Sequence, residues 1–334
     1  MYMYIGNRIR FSWLHGIRRF NRLTKGTKLL FLLIALQTMM LIYVIHPFTL
    51  FPFTEIPDIR NAPWLSLPPL ARVRYVREEM PWLSAPVLPR SLTPADYKTG
   101  AELLAKVHHV FEQNNLTFCL FYGSLVGSYI MHDIIPWDDD FDVIVPLAQK
   151  LELEHVMNNK LTQYGLQAHH HEALRANTYK ISYMVGERAG SKPWNWPFID
   201  LAFYSENSSH VWNMNAPGVQ ELVIPRDWFY PLRPRPFCGS WIPAPAQPHL
   251  ILRQHYGPRF HCRRYGWNHK DETAWWTTLY TSCHKLLHYY PFVWRTRSNV
   301  SSMVTETLKL GGKVFYSVNL IQTDVDIKQE PFYF

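Results

Sequence analysis

Four carboxylates stand within five residues at Asp138-Asp139-Asp140-Phe141-Asp142, and the chain runs directly on into Val143-Ile144-Val145. Acids crowded against an apolar strand are electrostatically unfavourable unless a cation sits among them. The run therefore demands a strand with two different environments, a hard-cation site on one face and a core on the other. Asp140 and Asp142 are two residues apart, so a strand points both to one face while Phe141, Val143 and Val145 point to the other. Oxygen-only donors suit Mg2+ or Mn2+, ions that commonly also hold phosphate oxygens. The alternative is an acidic turn at the end of a strand.

The residues upstream favour the metal reading. The apolar run Leu116 to Phe121 predicts a strand, Tyr122-Gly123-Ser124 a tight turn, and Leu125 to Met131 a short helix. A helix N-terminus offers free backbone N–H groups that favour anions. A phosphate cradle beside a metal-binding strand points to phosphoryl or nucleotidyl transfer.

Gly123 to Val145, with its Pro136-Trp137-Asp138-Asp139-Asp140-x-Asp142 core, resembles the signature of the LicD family, which includes fukutin and the fukutin-related protein within the polymerase-beta-like nucleotidyltransferase superfamily. Phe198-Ile199-Asp200-Leu201-Ala202-Phe203 resembles that family's later acidic strand. Asp227 to Pro231, Ile242-Pro243 and Tyr256-Gly257 follow in the family's order, so the resemblance covers roughly residues 95 to 260. It implies that Asp140, Asp142 and Asp200 ligate Mg2+ or Mn2+, and that Gly123 and Ser124 contact donor phosphate through backbone N–H and hydroxyl; an ordinary turn is the alternative. Asp138 and Asp139 either orient the acceptor, act as general base, support the ligands, or are solvated loop acids. Lys180 is either a phosphate-binding cation or an exposed strand lysine. One departure stands out: Ile130 occupies a place where many members carry Arg, leaving His132, Lys180 or Arg226 as substitute cations.

The formal charge of +8 is unevenly placed. Seven basic residues and no acids precede Glu55, whereas 27 basic residues face 26 acids from there on, so the folded part is nearly neutral and nucleic acid is not an expected partner. The basic tail, residues 1–28, abuts seventeen uncharged residues, Leu29 to Ile45, long enough at about 1.5 Å per residue to just span a bilayer. With positive charge held on the cytoplasmic side, the pattern predicts a single signal anchor, a cleaved signal peptide being the alternative, and a lumenal C-terminal bulk in the Golgi or endoplasmic reticulum. The sequons at Asn207, Asn299 and Asn115 agree with that side, Asn115 being the least accessible because it precedes a strand. Of the four cysteines, Cys119 reads as buried in a strand. Any bridge is expected among Cys238, Cys262 and Cys283.

Nine prolines between Pro52 and Pro94 suppress helix over most of a stem, residues 46–94. Thr93-Pro94 then starts a helix with an apolar stripe at Leu103, Leu104, Val107, Val110 and Phe111, opening a domain over residues 95–334. Further on, Leu147 to Tyr164 predicts a helix with Leu147, Leu151 and Leu161 inward, closed by Gly165. Thr178 to Val185 and Phe198 to Tyr204 predict strands. Residues 225–248, rich in proline and aromatics, predict an irregular wall. Glu272 to Tyr290 predicts a helix and Val314 to Leu320 a strand. The expected class is α+β, a nucleotidyltransferase-like mixed sheet flanked by helices and preceded by one transmembrane helix. His169-His170-His171 cannot all serve one ion, since adjacent strand residues face opposite ways. Trp194 and Trp196 either stack on a base or on choline, or pack in the core.

These readings combine into a membrane-anchored enzyme that moves a phosphorylated small group, phosphocholine or a polyol phosphate, from a CDP-linked donor to a glycan. The alternative is a weak or inactive relative that binds a glycan or a partner glycosyltransferase, motivated by Ile130.

Overall fold

In the computed structural model, Thr93 caps helix α1 (Pro94–Gln113) in a reciprocal arrangement: its side chain accepts the Asp96 N–H, and the Asp96 carboxylate accepts the Thr93 N–H. The structure describes residues 71, 73, 74, 77, 78, 80–173, 176–213, 222–264, 266–274, 278–297, 303–322 and 331–334. All five predicted stripe residues of α1 are buried. Strand β1 (Cys119–Leu120) is shorter than the apolar run around it, although Leu116, Phe118 and Phe121 are buried too. Helix α2 (Tyr122–Met131) begins earlier than the sequence predicts, taking Gly123 and Ser124 into its first turn. The residue with left-handed backbone there is Tyr122, at φ 40°.

The acidic strand is β2 (Phe141–Pro146). The helix predicted from Leu147 to Tyr164 is divided into a 3-10 turn (Leu147–Gln149), α3 (Lys150–Asn159) and a second 3-10 turn (Leu161–Tyr164), closed by Gly165 at φ 71°. A 3-10 turn advances the chain by three residues per turn rather than 3.6, which changes the helical phase. Leu153, Val156, Met157 and Leu161 consequently face the core, Leu147 is half-buried, and Leu151, expected inward, is 78% exposed.

Next come β3 (Leu166–Ala173), which carries the three histidines, β4 (Ala176–Arg188) and β5 (Asn195–Glu206). Strand order is β1-β2-β5-β4-β3, extended from β5 through β6 (His210–Asn213) to β7 (Val223–Pro225). β2 and β5 run parallel and the other pairs antiparallel, so the sheet is mixed and the class α+β. Phe141, Val143, Ile144 and Val145 are all buried, as expected for a strand covered on both faces.

The wall predicted as irregular over residues 225–248 contains a short helix, α4 (Arg226–Phe229), and a hairpin of β8 (Arg233–Phe237) and β9 (Ser240–Ala244). Its two-residue turn, Cys238-Gly239, has positive φ at both positions, which matches the twist of a hairpin. After α5 (Pro248–Tyr256) come the paired strands β10 (Arg263–Arg264) with β13 (Leu279–Tyr280), and β11 (Trp267–Asn268) with β12 (Thr273–Ala274). The helix predicted from Glu272 to Tyr290 therefore does not form; only a 3-10 turn at Cys283–Leu286 is present. β-branched Thr273, Thr278 and Thr281 disfavour helix, and a disulfide ties Cys283 to Cys262. This pair lies within the three cysteines expected to supply a bridge. Cys119 and Cys238 are buried free thiols.

The strand predicted at Val314 to Leu320 lies in an antiparallel sheet of β14 (Phe292–Arg297), β15 (Met303–Leu310) and β16 (Lys313–Ile321). This sheet is fastened to α2 by a fully buried carboxylate, Glu306. Arg235 Nη2 and Arg295 Nε lie 2.8 and 2.9 Å from its oxygens, His132 Nε2 lies 2.7 Å away, and Arg295 also donates to the Tyr129 carbonyl. His132 thus closes α2 in a left-handed conformation with its ring committed to Glu306 and to the Tyr316 hydroxyl.

Ala85, Leu88 and Leu92, from the proline-rich segment, belong to the core. The Ala85 N–H donates to the Tyr290 hydroxyl, which donates to the Leu88 carbonyl, at 2.8 and 2.9 Å. The end of that segment is therefore packed on the domain. Among the described residues no helix is long and apolar enough to cross a membrane; Leu29 to Ile45 lie outside them.

Candidate functional site

Parallel pairing of β2 with β5 sets Asp142 directly beside Asp200, and Asp140 stands at the mouth of β2. One carboxylate oxygen from each of Asp140, Asp142 and Asp200 lies within 4.8 Å of the other two. Period-two alternation makes this possible: Ile199 and Leu201 go to the core while Asp200 faces the other way. On the far side of β5, Lys180 is registered with Asp200 and its Nζ lies 2.5 and 2.6 Å from the two carboxylate oxygens. Lys180 is buried, so it is not an exposed strand lysine.

The start of α2 abuts these acids. A Cβ on Gly123 would fall 2.5 Å from Asp138 Oδ2 and 3.2 Å from Asp142 Oδ2, so the missing side chain at Gly123 makes room for these carboxylates against the first turn of α2. Ser124 is buried behind them, where its Oγ accepts the Asp142 N–H at 2.8 Å. The structure thus gives Ser124 a holding contact with β2 and leaves Gly123 as the member of the pair that lines the cleft.

The cleft has a volume of about 290 Å³. Gly123, Asp138, Asp139, Asp140 and Asp142 form one wall. The other is made by Tyr256, Phe260, His261, Arg263, Arg264, Trp267 and His269. His269 joins the walls: its backbone N–H donates to Asp139 Oδ2 (3.1 Å), its Nδ1 lies 2.7 Å from Asp139 Oδ1, and its Nε2 lies 3.4 Å from Asp140 Oδ2. Sequence reasoning missed His269 and the Arg263-Arg264 pair, which lie more than 120 residues from the Asp138 to Asp142 run. Their one sequence signal is a basic pair immediately after Cys262.

Burial and mutual repulsion dominate the electrostatics. Burial, then Asp140 and Asp139, push the Asp138 carboxyl well above its ordinary value. Burial, then Asp140, Asp138 and Asp200, do the same to Asp142. Asp140 rises to about 6 through burial, moderated by His269. Burial lowers the His269 pKa, but Asp140 and Asp139 outweigh it and carry the imidazole up to about 10. In Lys180 burial is likewise outweighed by Asp200, so its ammonium is retained. Arg264 is held below its ordinary value because burial exceeds the pull of Asp139 and Asp138.

Such a cluster fits a hard divalent cation. Asp140, Asp142 and Asp200 supply oxygen donors only, and Asp140 and Asp142 are pushed towards protonation when no cation offsets burial and their mutual repulsion. Asp139, Asp140 and His269 form a second close group. In it the imidazole is protonated and acts as an ion-pair partner.

The other predicted cations are placed elsewhere. Ile130 is completely buried in the core, so its side chain leaves no gap in the cleft wall. His132 serves Glu306, and Arg226 pairs with Glu206 at 3.4 Å. Trp194 and Trp196 are packed in the core. Asn207 is exposed, with Oδ1 accepting from Ser209 and His210. Asn115 is also exposed, contrary to the expected shielding, because it sits at φ 55° in the turn before β1. Asn299 lies outside the described residues.

No curated protein matches the chain. The model of the LicD/FKTN/FKRP nucleotidyltransferase domain matches residues 115–247. The matched stretch contains Gly123, the whole Asp138 to Asp142 run, Lys180 and Asp200, and ends before the opposite wall of the cleft. Over residues 115–247 this chain is similar to the LicD/FKTN/FKRP family of nucleotidyltransferase domains.

Proposed function

We propose that this protein is a metal-dependent transferase that moves phosphocholine or a polyol phosphate from a CDP-linked donor onto a glycan. The observation that carries this reading is the convergence of Asp140, Asp142 and Asp200 on two adjacent parallel strands beside the start of α2. A Mg2+ or Mn2+ held by these three would neutralise donor phosphates and lower the pKa of an acceptor hydroxyl. Lys180 holds both oxygens of Asp200 and so fixes the direction of that carboxylate. Ser124 and Gly123 fix Asp142 against α2. Asp138 lines the cleft, stands outside the three-carboxylate group and is pushed up in pKa, which suits a proton acceptor for the attacking hydroxyl. Asp139, held twice by His269, positions the opposite wall.

The setting belongs to the same proposal: a single-pass type II protein of the Golgi or endoplasmic reticulum, anchored by Leu29 to Ile45, with its domain in the lumen. The Cys262–Cys283 disulfide and the exposed sequon at Asn207 support an oxidising, glycosylating compartment. The near-neutral folded part supports a glycan rather than nucleic acid as acceptor.

The test is CMP release from CDP-choline, CDP-ribitol and CDP-glycerol by the purified protein with Mn2+ or Mg2+ and mixed cellular glycans. One conjugate is expected to react, and Asp142→Asn to abolish its turnover. Absence of CMP from all three, with folded protein, would sink the reading.

A further inference from the structure

We infer that the segment closed by the Cys262–Cys283 disulfide is a phosphate-binding arm, in which Arg264 holds the diphosphate of a nucleotide ligand beside the acidic wall. This deepens the proposed function and rests on it.

A diphosphate brings further negative charge into a cleft already walled by four aspartates, so cations from the protein must meet it. Among the described residues, no cation of the matched family stretch lines the cleft. Lys180 is held by Asp200, Arg226 by Glu206, Arg235 by Glu306, and His132 by Glu306 and Tyr316. The cationic lining of the cleft comes instead from the arm, at Arg263, Arg264 and His269. Neighbouring residues of a strand point to opposite sides, and in β10 Arg263 is exposed while Arg264 is buried. Arg264 is therefore the inward guanidinium, within Coulombic range of Asp138 and Asp139. Its planar fork of donors matches two phosphate oxygens at once.

The arm is built to hold that position. Arg263 and Arg264 pair with Tyr280 and Leu279, and the Thr281 N–H donates to the Cys262 carbonyl at 3.0 Å. The disulfide closes this pairing at its base. Two contacts then dock the arm on the acidic wall: Trp137 Nε1 donates to the Arg263 carbonyl at 3.0 Å, and His269 grips Asp139. Oxidation of Cys262 and Cys283 thereby sets where Arg264 stands, and phosphate affinity depends on that bond.

Calorimetric titration of the full-length protein with inorganic pyrophosphate and with CDP, each with Mn2+, tests the assignment. Arg264→Gln is expected to weaken both ligands by about tenfold or more. Arg264→Lys should recover part of the loss, and Arg253→Gln, on the exposed side of α5, should match the wild type. Thiol reduction of the wild type, and Cys262→Ser/Cys283→Ser, should weaken both ligands as Arg264→Gln does. Melting curves identify any variant that fails to fold, in which case the reduced wild type decides. The inference is overturned if Arg264→Gln or the reduced protein binds pyrophosphate as the oxidised wild type does, or if the wild type binds none. Arg264-dependent pyrophosphate binding without reaction of any CDP conjugate would instead uphold the arm and remove the proposed donor.

Discussion

Metal loading at Asp140, Asp142 and Asp200 should expel protons, and the size of the effect follows from Asp140. Its carboxyl titrates at about 6 in the fold against an ordinary 3.8. A native pKa above the unfolded one means that the native state holds the proton more tightly between those values. Metal-free protein therefore loses stability as pH rises from about 4 to 6, by about 3 kcal/mol from this residue alone. Burial and its acidic neighbours push Asp142 in the same direction and add to the loss. His269 acts in the opposite sense. Raised from 6.5 to about 10, it contributes stability that is complete below 6.5 and disappears as pH climbs towards 10.

A divalent cation needs the ionised carboxylates. At a pKa of about 6, Asp140 is about nine-tenths ionised at pH 7 and about one-tenth at pH 5, so affinity for Mn2+ should fall about tenfold over that interval, and further if Asp142 also releases a proton. Titration calorimetry in two buffers of different ionisation enthalpy measures both the affinity and the protons released. The rise in melting temperature on adding Mn2+ should widen from pH 5 to pH 7. Equal affinity at the two pH values, or no proton release, would refute the electrostatic account of the cluster. So would an Asp140→Asn variant that binds Mn2+ like the wild type.

Gly127→Ala should destabilise by about 1–3 kcal/mol or more, because the new Cβ would sit 2.3 Å from the Asp133 carbonyl oxygen, a backbone atom that cannot swing away; denaturant unfolding reads this directly. Ile130→Arg should lower the melting temperature without raising donor affinity, since it places a guanidinium in the core at a cost of several kcal/mol. Glu306→Gln should cost about 3–5 kcal/mol by leaving Arg235 and Arg295 buried without their anion. Burial works to raise the Glu306 pKa, but Arg235 and Arg295 hold it below the carboxylate range; its contribution is thus present above pH 4.5 and lost as pH falls below that, visible as steeper acid unfolding in the wild type than in Glu306→Gln. Ser124→Ala should cost about 1–3 kcal/mol by orphaning the Asp142 N–H, and should weaken Mn2+ binding in the same titration.

The acidic wall was legible because its geometry is a strand property. Spacing by two puts Asp140 and Asp142 together, and the apolar flanks of Asp200 turn it outward, whatever the rest of the chain does. Helix α1 was legible because its cap and stripe are local. The misread segments are those where a distant constraint overrides a local pattern. Leu279, Cys283, Leu286 and Tyr290 repeat at helical spacing, yet the disulfide to Cys262 and the pairing of β10 with β13 pull the chain open. The inward role assigned to Leu151 assumed an unbroken helix, and one 3-10 turn at Leu147 rotates it into solvent. Lys180 could be placed on a strand from sequence, but its partner could not, because registration of β4 against β5 depends on a bulge between Ser182 and Glu187.

The same distinction explains why the cations were sought in the wrong place. Local reading looked for a positive group at His132, Lys180 or Arg226, in place of the arginine that the family resemblance puts at Ile130. In the fold that end of α2 is spent on structure: Ile130 fills the core, and His132 and the Tyr129 carbonyl are tied to the Glu306 cluster. Only the beginning of α2 reaches the cleft, through Gly123 and Val126. A cation contributed from residues 129–132 would have to displace that cluster, whereas one contributed from Arg264 needs only the docking contacts of Asp139 and Trp137. Asp139 thus connects the two walls: it stands outside the Asp140, Asp142 and Asp200 group, and its partner His269 lies on the segment that carries the guanidinium. Removing the Asp139 carboxylate should accordingly weaken phosphate binding while leaving the three metal-facing oxygens where they are.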